Sequence, residues 1–383
     1  MKINFSLGKD WSELKKFEKL SSDERSIVFY AENKASMNHF RLLISELTEE
    51  KNFKICYVTS VQNDPMLSSK SKNIFAFYIG DGTARTKFFL TLKAKILIMD
   101  MPDLETFHIK RSKVYSVHYV YIFHSMFSIH SYLRKGAIDN YDTIFCVGEH
   151  HKNEIRETEK TYGLKPKKLI TYGFGRLDTL LNEKQKFSQS NEDNEKLIII
   201  APSYGKENLL EVCGIKLLEI LLNSGFRVLL RPHFRTLIDS KKLIKAIEEK
   251  FIDNPNFTLE EGIIPPEKFQ NSKCMISDWS GISFEYAFTF EHPVIFIDVP
   301  KKVLNPNSDD ISLEPIEISI RDKIGYVISP KNLENIQEII EKIHGDNLTK
   351  ERIIKIRSET VYNLGKSAKI GAEAIEKIYT ELS

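Results

Sequence analysis

The sequence predicts an α/β protein of two domains, each built on a parallel sheet, and three observations predict it. With 383 residues the chain is long enough for two hydrophobic cores. Short apolar runs alternate with longer segments of helical period along most of its length, the signature of βαβ units. One polar stretch, NEKQKFSQSNEDNEK at 182–196, in which Phe187 is the only strongly apolar residue, interrupts that alternation and reads as an exposed linker.

In the first series the apolar runs are SIVFY (26–30), FKICYV (53–58), IFAFYI (74–79), ILIMD (96–100), YVYIF (119–123), TIFCVG (143–148) and LITY (169–172). Most are continuous rather than alternating, as expected of strands covered on both faces. Segments such as MNHFRLLISEL (37–47), apolar at three- and four-residue spacing, supply the crossover helices. The second series runs LIIIAP (197–202), a helix over 214–223, FRVLLRPH (226–233), CMISD (274–278), a helix from Ser280, PVIFID (293–298) and GYVIS (325–329). Beyond it the pattern is helical only, over 332–344 and 348–362. The expected partition is an N-terminal Rossmann-like domain at 1–181, the linker at 182–196, a C-terminal Rossmann-like domain at 197–347, and helices at 348–383 free to pack back on the first domain. Ligands of open α/β sheets bind at the carboxyl ends of the strands, so the site is expected in an interdomain cleft lined by those ends.

Composition removes several classes. The chain is 42% hydrophobic and 28% charged, with 55 Lys+Arg against 53 Asp+Glu and a net charge of +2. That excludes a fibrous or disordered chain and argues against a dedicated nucleic-acid binder. Cys56, Cys146, Cys213 and Cys274 form neither a zinc pattern nor a disulfide framework, which fits a reducing compartment. The N-terminus lacks the apolar core of a signal peptide and no run reaches the roughly 18 apolar residues of a spanning helix, so a cytoplasmic protein is expected, with surface attachment to a membrane left open.

The charge is unevenly spread. From 106 to 138 there is no acid, but there are five Lys/Arg, four His and seven aromatic residues; from 65 to 99 six Lys/Arg face one acid, Asp81. Solvated surface, an anionic lipid or lipid-linked substrate, and nucleic acid all fit such a stretch. Aromatic rings interleaved with cations suit a phospholipid headgroup region best.

Four local patterns carry candidate chemistry. His124 ends the run YVYIF, where imidazole can take a proton from a hydroxyl at neutral pH; a satisfied core histidine is the bland alternative, which we adopt for His118 and His130. Arg231-Pro232-His233-Phe234-Arg235 ends the strand FRVLL, and two guanidiniums around an imidazole suit phosphate, unless they pair with surface carboxylates. Ser277-Asp278-Trp279-Ser280-Gly281-Ile282-Ser283-Phe284-Glu285 reads as strand, turn and helix, with Ser280 as N-cap and Ser283 in the first turn. Glu285 would either reach ribose hydroxyls or remain an exposed helix charge. Gly173-Phe174-Gly175-Arg176-Leu177-Asp178 permits a tight turn and is weaker evidence of a site. No Walker A, HExxH or CxxC sequence occurs, so P-loop and zinc chemistry lose support.

In this order, and with Pro293-Val294-Ile295-Phe296-Ile297-Asp298 behind the third pattern, the motifs resemble the CDP-glycerol glycerophosphotransferase family of teichoic-acid and capsule biosynthesis. The family's His-Gly is His124-Ser125 here, and its Ala-Pro-Thr-Trp-like segment is Ala201-Pro202-Ser203-Tyr204. The resemblance implies a GT-B fold, a CDP-linked alcohol phosphate as donor, an undecaprenyl-diphosphate-linked saccharide as acceptor, and action at the cytoplasmic face of the membrane. It implies no cofactor and no metal ligands, and leaves a divalent-ion requirement open. By the same resemblance His124, Arg231, His233, Ser277, Asp278, Ser280 and Gly281 stand at the family's motif positions; His124 and His233 are expected to be catalytic, and Arg231, Ser277, Asp278, Ser280 and Gly281 to hold the donor, joined on the residue reading by Arg235, Ser283 and Glu285. Ser125, Gly173, Gly175 and Arg176 form a cleft loop. A nucleotide-sugar glycosyltransferase of the same fold and a non-catalytic scaffold on the membrane are the alternatives.

Overall fold

A computed structural model of the chain describes residues 8–186, 196–262, 264–302, 304–343 and 347–383. The described residues divide into two compact units. One comprises Met1–Thr179, Asn305–Ser312 and Val361–Ser383, the other Leu180–Leu304 and Leu313–Thr360. The segment expected as a linker begins inside the helix Gly175–Lys184, and its residues 187–195 lie outside the described residues.

The first unit is a seven-stranded sheet of β1 (Ile27–Ala31), β2 (Ile55–Thr59), β3 (Ile74–Tyr78), β4 (Ile96–Met99), β5 (His118–Ile122), β6 (Thr143–Cys146) and β7 (Lys168–Thr171), in the order β3-β2-β1-β4-β5-β6-β7. Every pairing is parallel. Parallel neighbours need a crossover, and helices on both faces explain why β1, β2 and β4 are buried along their whole length and carry continuous apolar sequence. The helix Met37–Ser45 buries Phe40, Leu43 and Ile44 against the sheet, and the C-terminal helix Ser367–Glu381 returns to the same face with Ala372, Ile375 and Ile378.

The second unit holds β8 (Leu197–Ile200), β9 (Arg227–Leu230), β10 (Phe257–Leu259), β11 (Cys274–Ser277), β12 (Val294–Ile297) and β13 (Gly325–Ile328), in the order β10-β9-β8-β11-β12-β13, again all parallel. The edge strand β10 was not among the expected runs. It is three residues long, and only Phe257 of it is buried, so it lacks the continuous apolar stretch that marks the others. The helix predicted over 214–223 begins earlier, at Leu209, because the Asn208 side chain caps it by accepting from the amides of Leu210 and Glu211. Among the described residues no helix is long and apolar enough to cross a membrane.

Both strand orders reverse direction once, between β1 and β4 in the first sheet and between β8 and β11 in the second. At such a reversal the loops leaving the two strands diverge, and the crevice between them is where this architecture binds ligands.

Candidate active site

In the first unit the carboxyl end of β4 leads to Asp100, that of β5 to His124, and the helix after β1 carries Ser36 and His39 at its start. Asp100 is buried and accepts from the Ser36 hydroxyl at 3.0 Å. His124 Nδ1 lies 3.1 Å from the Asp100 carbonyl, and Nε2 is hydrogen-bonded to the Tyr132 hydroxyl. A carbonyl can only accept, so Nδ1 carries the proton and Nε2 keeps its lone pair. Burial lowers the pKa of His124, which keeps the ring neutral at pH 7. An imidazole held in this way has the chemistry a general base needs, its tautomer set by the backbone.

The His39 ring stands 6.3 Å from that of His124 and is buried. Burial first, then the neighbouring His124 and Arg176, bring its pKa down to about 3. Arg176 therefore does join this group. The two glycines before it serve packing. Gly173 has φ +105°, and a Cβ there would stand 2.3 Å from the Tyr362 carbonyl; at Gly175 it would stand 3.2 Å from the His39 carbonyl. The Ser125 hydroxyl accepts from the Phe127 amide and shapes the turn. Asp178, at the end of the same motif, is buried and takes the Gly365 and Ser367 amides and the Ser367 hydroxyl, which anchors the C-terminal helix.

His118 and His130, read as structural from the sequence, each have a partner within the first unit. His118 bonds to Thr143, and His130 pairs at 3.0 Å with the buried Glu154, whose carboxylate also accepts the amides of Ile129 and His130.

In the second unit Arg231, His233 and Arg235 follow β9. His233 caps the short helix Phe234–Asp239, its Nδ1 accepting from the Arg235 amide at 3.1 Å, so the proton sits on Nε2. Burial, with Arg231, Lys302 and Arg235 around it, brings the pKa of His233 down to about 4. Its ring stacks on Tyr204, centroids 4.5 Å apart at 29°, and the Lys302 ammonium lies 3.1 Å from the centre of the same tyrosine ring. The Arg235 guanidinium is 5.8 Å from it and is also paired with Asp239.

The turn after β11 differs from expectation. The helix runs Ile282–Phe290, with Gly281 before it in helical conformation and no side-chain cap, so Ser280 is not the N-cap. Ser283 is fully buried, and its amide and hydroxyl both donate back to the Ser280 carbonyl, closing the first turn on itself. Ser277 is likewise buried and donates to the Ala201 carbonyl. Asp278 accepts the Ser203 amide at 2.6 Å and the Leu209 amide at 2.9 Å; its part is to hold the loop after β8 against β11. Burial raises its pKa despite those bonds. Gly281 and Glu285 are half-buried at the start of the helix, and the Trp279 indole donates to the Val299 carbonyl while Arg321 stacks 3.8 Å above it.

Sequence reasoning missed His39, Asp100 and Tyr132 in the first unit and Lys302 in the second. Position at a strand end, the signal that picked out His124, applies equally to Asp100 and was available. Nothing local marks His39, Tyr132 or Lys302, which reach their neighbours only through the fold.

The family model for CDP-glycerol:poly(glycerophosphate) glycerophosphotransferase matches residues 14–302. No curated protein matches the chain. Among solved structures, a variant of the wall teichoic acid polymerase TagF with CDPG is similar at 16% identity, covering 97% of this chain and 94% of that one, with a TM-score of 0.60. The UDP-GlcNAc 2-epimerase from Methanocaldococcus jannaschii is similar at 14% identity, 93% and 99% coverage and a TM-score of 0.57. The enzyme from Neisseria meningitidis bound to UDP-GlcNAc gives 16%, 92%, 99% and 0.56. These likenesses establish the fold, two parallel-sheet units of the GT-B type.

Proposed function

The chain belongs to the CDP-glycerol:poly(glycerophosphate) glycerophosphotransferase family, and from that premise we propose that it moves glycerol phosphate from CDP-glycerol to a hydroxyl of a lipid-linked surface glycan at the inner face of the cell membrane. The acceptor oxygen attacks the β-phosphorus, the bond to the bridging oxygen of the diphosphate breaks, CMP leaves, and the acceptor proton passes to His124 Nε2. The observation that carries this reading is the state of His124, a neutral imidazole with Nδ1 committed to the Asp100 carbonyl and its Nε2 lone pair accepting from the Tyr132 hydroxyl, whose place the acceptor hydroxyl would take.

The second unit supplies what the donor needs. Arg231, Arg235 and the Nε2–H of His233 oppose the charge that builds on the departing CMP, together with the backbone at the Ser280–Gly281 turn. Arg176 belongs with the acceptor side, where its charge acts on His39. Glu285 would contact the ribose.

The membrane part of the proposal rests on the segment between β4 and β5. Phe107, Val114 and Tyr115 are exposed there, with Arg134 stacked over Phe107 and Lys93 over Tyr115. Exposed rings under cations suit an anionic headgroup layer.

Release of CMP from CDP-glycerol in the presence of a saccharide-linked polyprenyl diphosphate tests the reaction. Thermal stabilisation tests the donor: at 100 times its dissociation constant a ligand stabilises by about 2.7 kcal/mol. CMP and CDP-glycerol should raise the melting temperature and UDP should not; a response to UDP alone would return the site to a uridine nucleotide.

A further inference from the structure

Lys302 comes from the loop after β12, well away in sequence from the Arg231–Arg235 motif, and yet it shares Tyr204 with that motif. The tyrosine ring carries His233 stacked at 4.5 Å and the Lys302 ammonium at 3.1 Å from its centroid. The loop that bears Lys302 is pinned to the turn after β11 by the Trp279 indole, which donates to the Val299 carbonyl at 3.0 Å. Three strand ends, those of β8, β9 and β12, thus place Tyr204, His233 and Lys302 together.

We propose that Lys302, held on the face of Tyr204, is a further phosphate-binding residue of this unit, taking an oxygen of the donor's diphosphate beside Arg231 and His233; this rests on the donor reading above. No described carboxylate forms an ion pair with Lys302. The acid that acts on it is Asp278, whose two oxygens are already occupied by the amides of Ser203 and Leu209. A cation parked over a ring keeps a weak, replaceable partner, and a diphosphate oxygen is a far stronger one. Burial, opposed by Asp278, brings the ammonium down to about 8, which still leaves it charged at neutral pH to meet an incoming anion.

Tyr204 then acts as a shared platform, carrying the neutral His233 ring and the Lys302 ammonium together.

The test compares CDP-glycerol with cytidine, which lacks the phosphates, by calorimetry and ligand-observed NMR on the full chain. Lys302→Met should weaken CDP-glycerol about 10-fold or more while cytidine binds as to wild type, and Lys302→Arg should retain most of the affinity. Tyr204→Leu, which leaves the cation but removes its platform, should fall between. Unchanged cytidine binding certifies the folded site in each variant. CDP-glycerol affinity within twofold of wild type in Lys302→Met, or equal losses for both ligands, would overturn the role of Lys302. Wild-type protein that binds neither CMP nor CDP-glycerol would instead overturn the donor reading beneath it.

Discussion

The two units solve the same topological problem with opposite chemistry. At each strand-order reversal a buried aspartate just past the strand, Asp100 after β4 and Asp278 after β11, ties down the start of the helix that follows the neighbouring strand. Asp100 takes the Ser36 hydroxyl at 3.0 Å, and Asp278 takes the Leu209 amide at 2.9 Å. Around Asp100 the fold gathers the neutral rings of His39 and His124, with Tyr132 hydrogen-bonded to His124. Around Asp278 it gathers cations, Lys302, Arg235 and Arg231, about a stacked tyrosine. A shared scaffold fixes where a site forms, and the side chains on its loops decide whether that site moves protons or holds anions.

The comparison breaks most visibly at His124. His124→Ala should lower the rate of CMP release by roughly 10²–10⁴-fold while binding CDP-glycerol as well as wild type does. Lost donor affinity with intact turnover would reverse the roles of the two units. Arg231→Gln should do the converse, weakening CDP-glycerol about 10- to 100-fold, as expected for a charge-assisted bond of about 1.5–3 kcal/mol, with little change in the rate at saturating donor.

Scaffold and chemistry separate at Asp178, which touches neither group. Asp178→Ala removes three hydrogen bonds to the start of the C-terminal helix and should cost about 2 kcal/mol of stability in denaturant unfolding. Turnover of the folded fraction should be unchanged.

The smallest effect concerns the aspartates themselves. Burial raises the Asp100 carboxyl to about 7, so the folded protein retains a proton that the unfolded chain releases near 4. The group's stabilising effect is complete below that lower value, declines as pH rises toward 7 and is gone above it. Asp100→Asn should flatten its share of that decline in melting temperature between pH 4 and 7. Asp278, shifted in the same direction, keeps its own share.

Much of this was legible in the chain. Continuous apolar runs marked twelve strands, and β10 escaped because it is only three residues long with the exposed Thr258 at its centre. His124 and the Arg231–Arg235 motif were singled out because strand ends of this architecture point at ligands. At the Ser277–Ser283 turn the hydroxyls of Ser277 and Ser283 donate to backbone carbonyls, since whether a hydroxyl faces a ligand or its own backbone depends on a rotamer that sequence does not encode.

What the sequence by itself determined is the architecture, the family and the positions of the principal loops, for these follow from periodicity and short motifs read along the chain. What only the tertiary structure decided is the company each residue keeps. The Nδ1 proton of His124 is set by a carbonyl 24 residues away. Arg176 is brought beside His39, and Lys302 reaches Tyr204 from another strand. Proton positions and charge clusters are set by distances of a few ångströms, and folding makes such distances independent of separation along the chain.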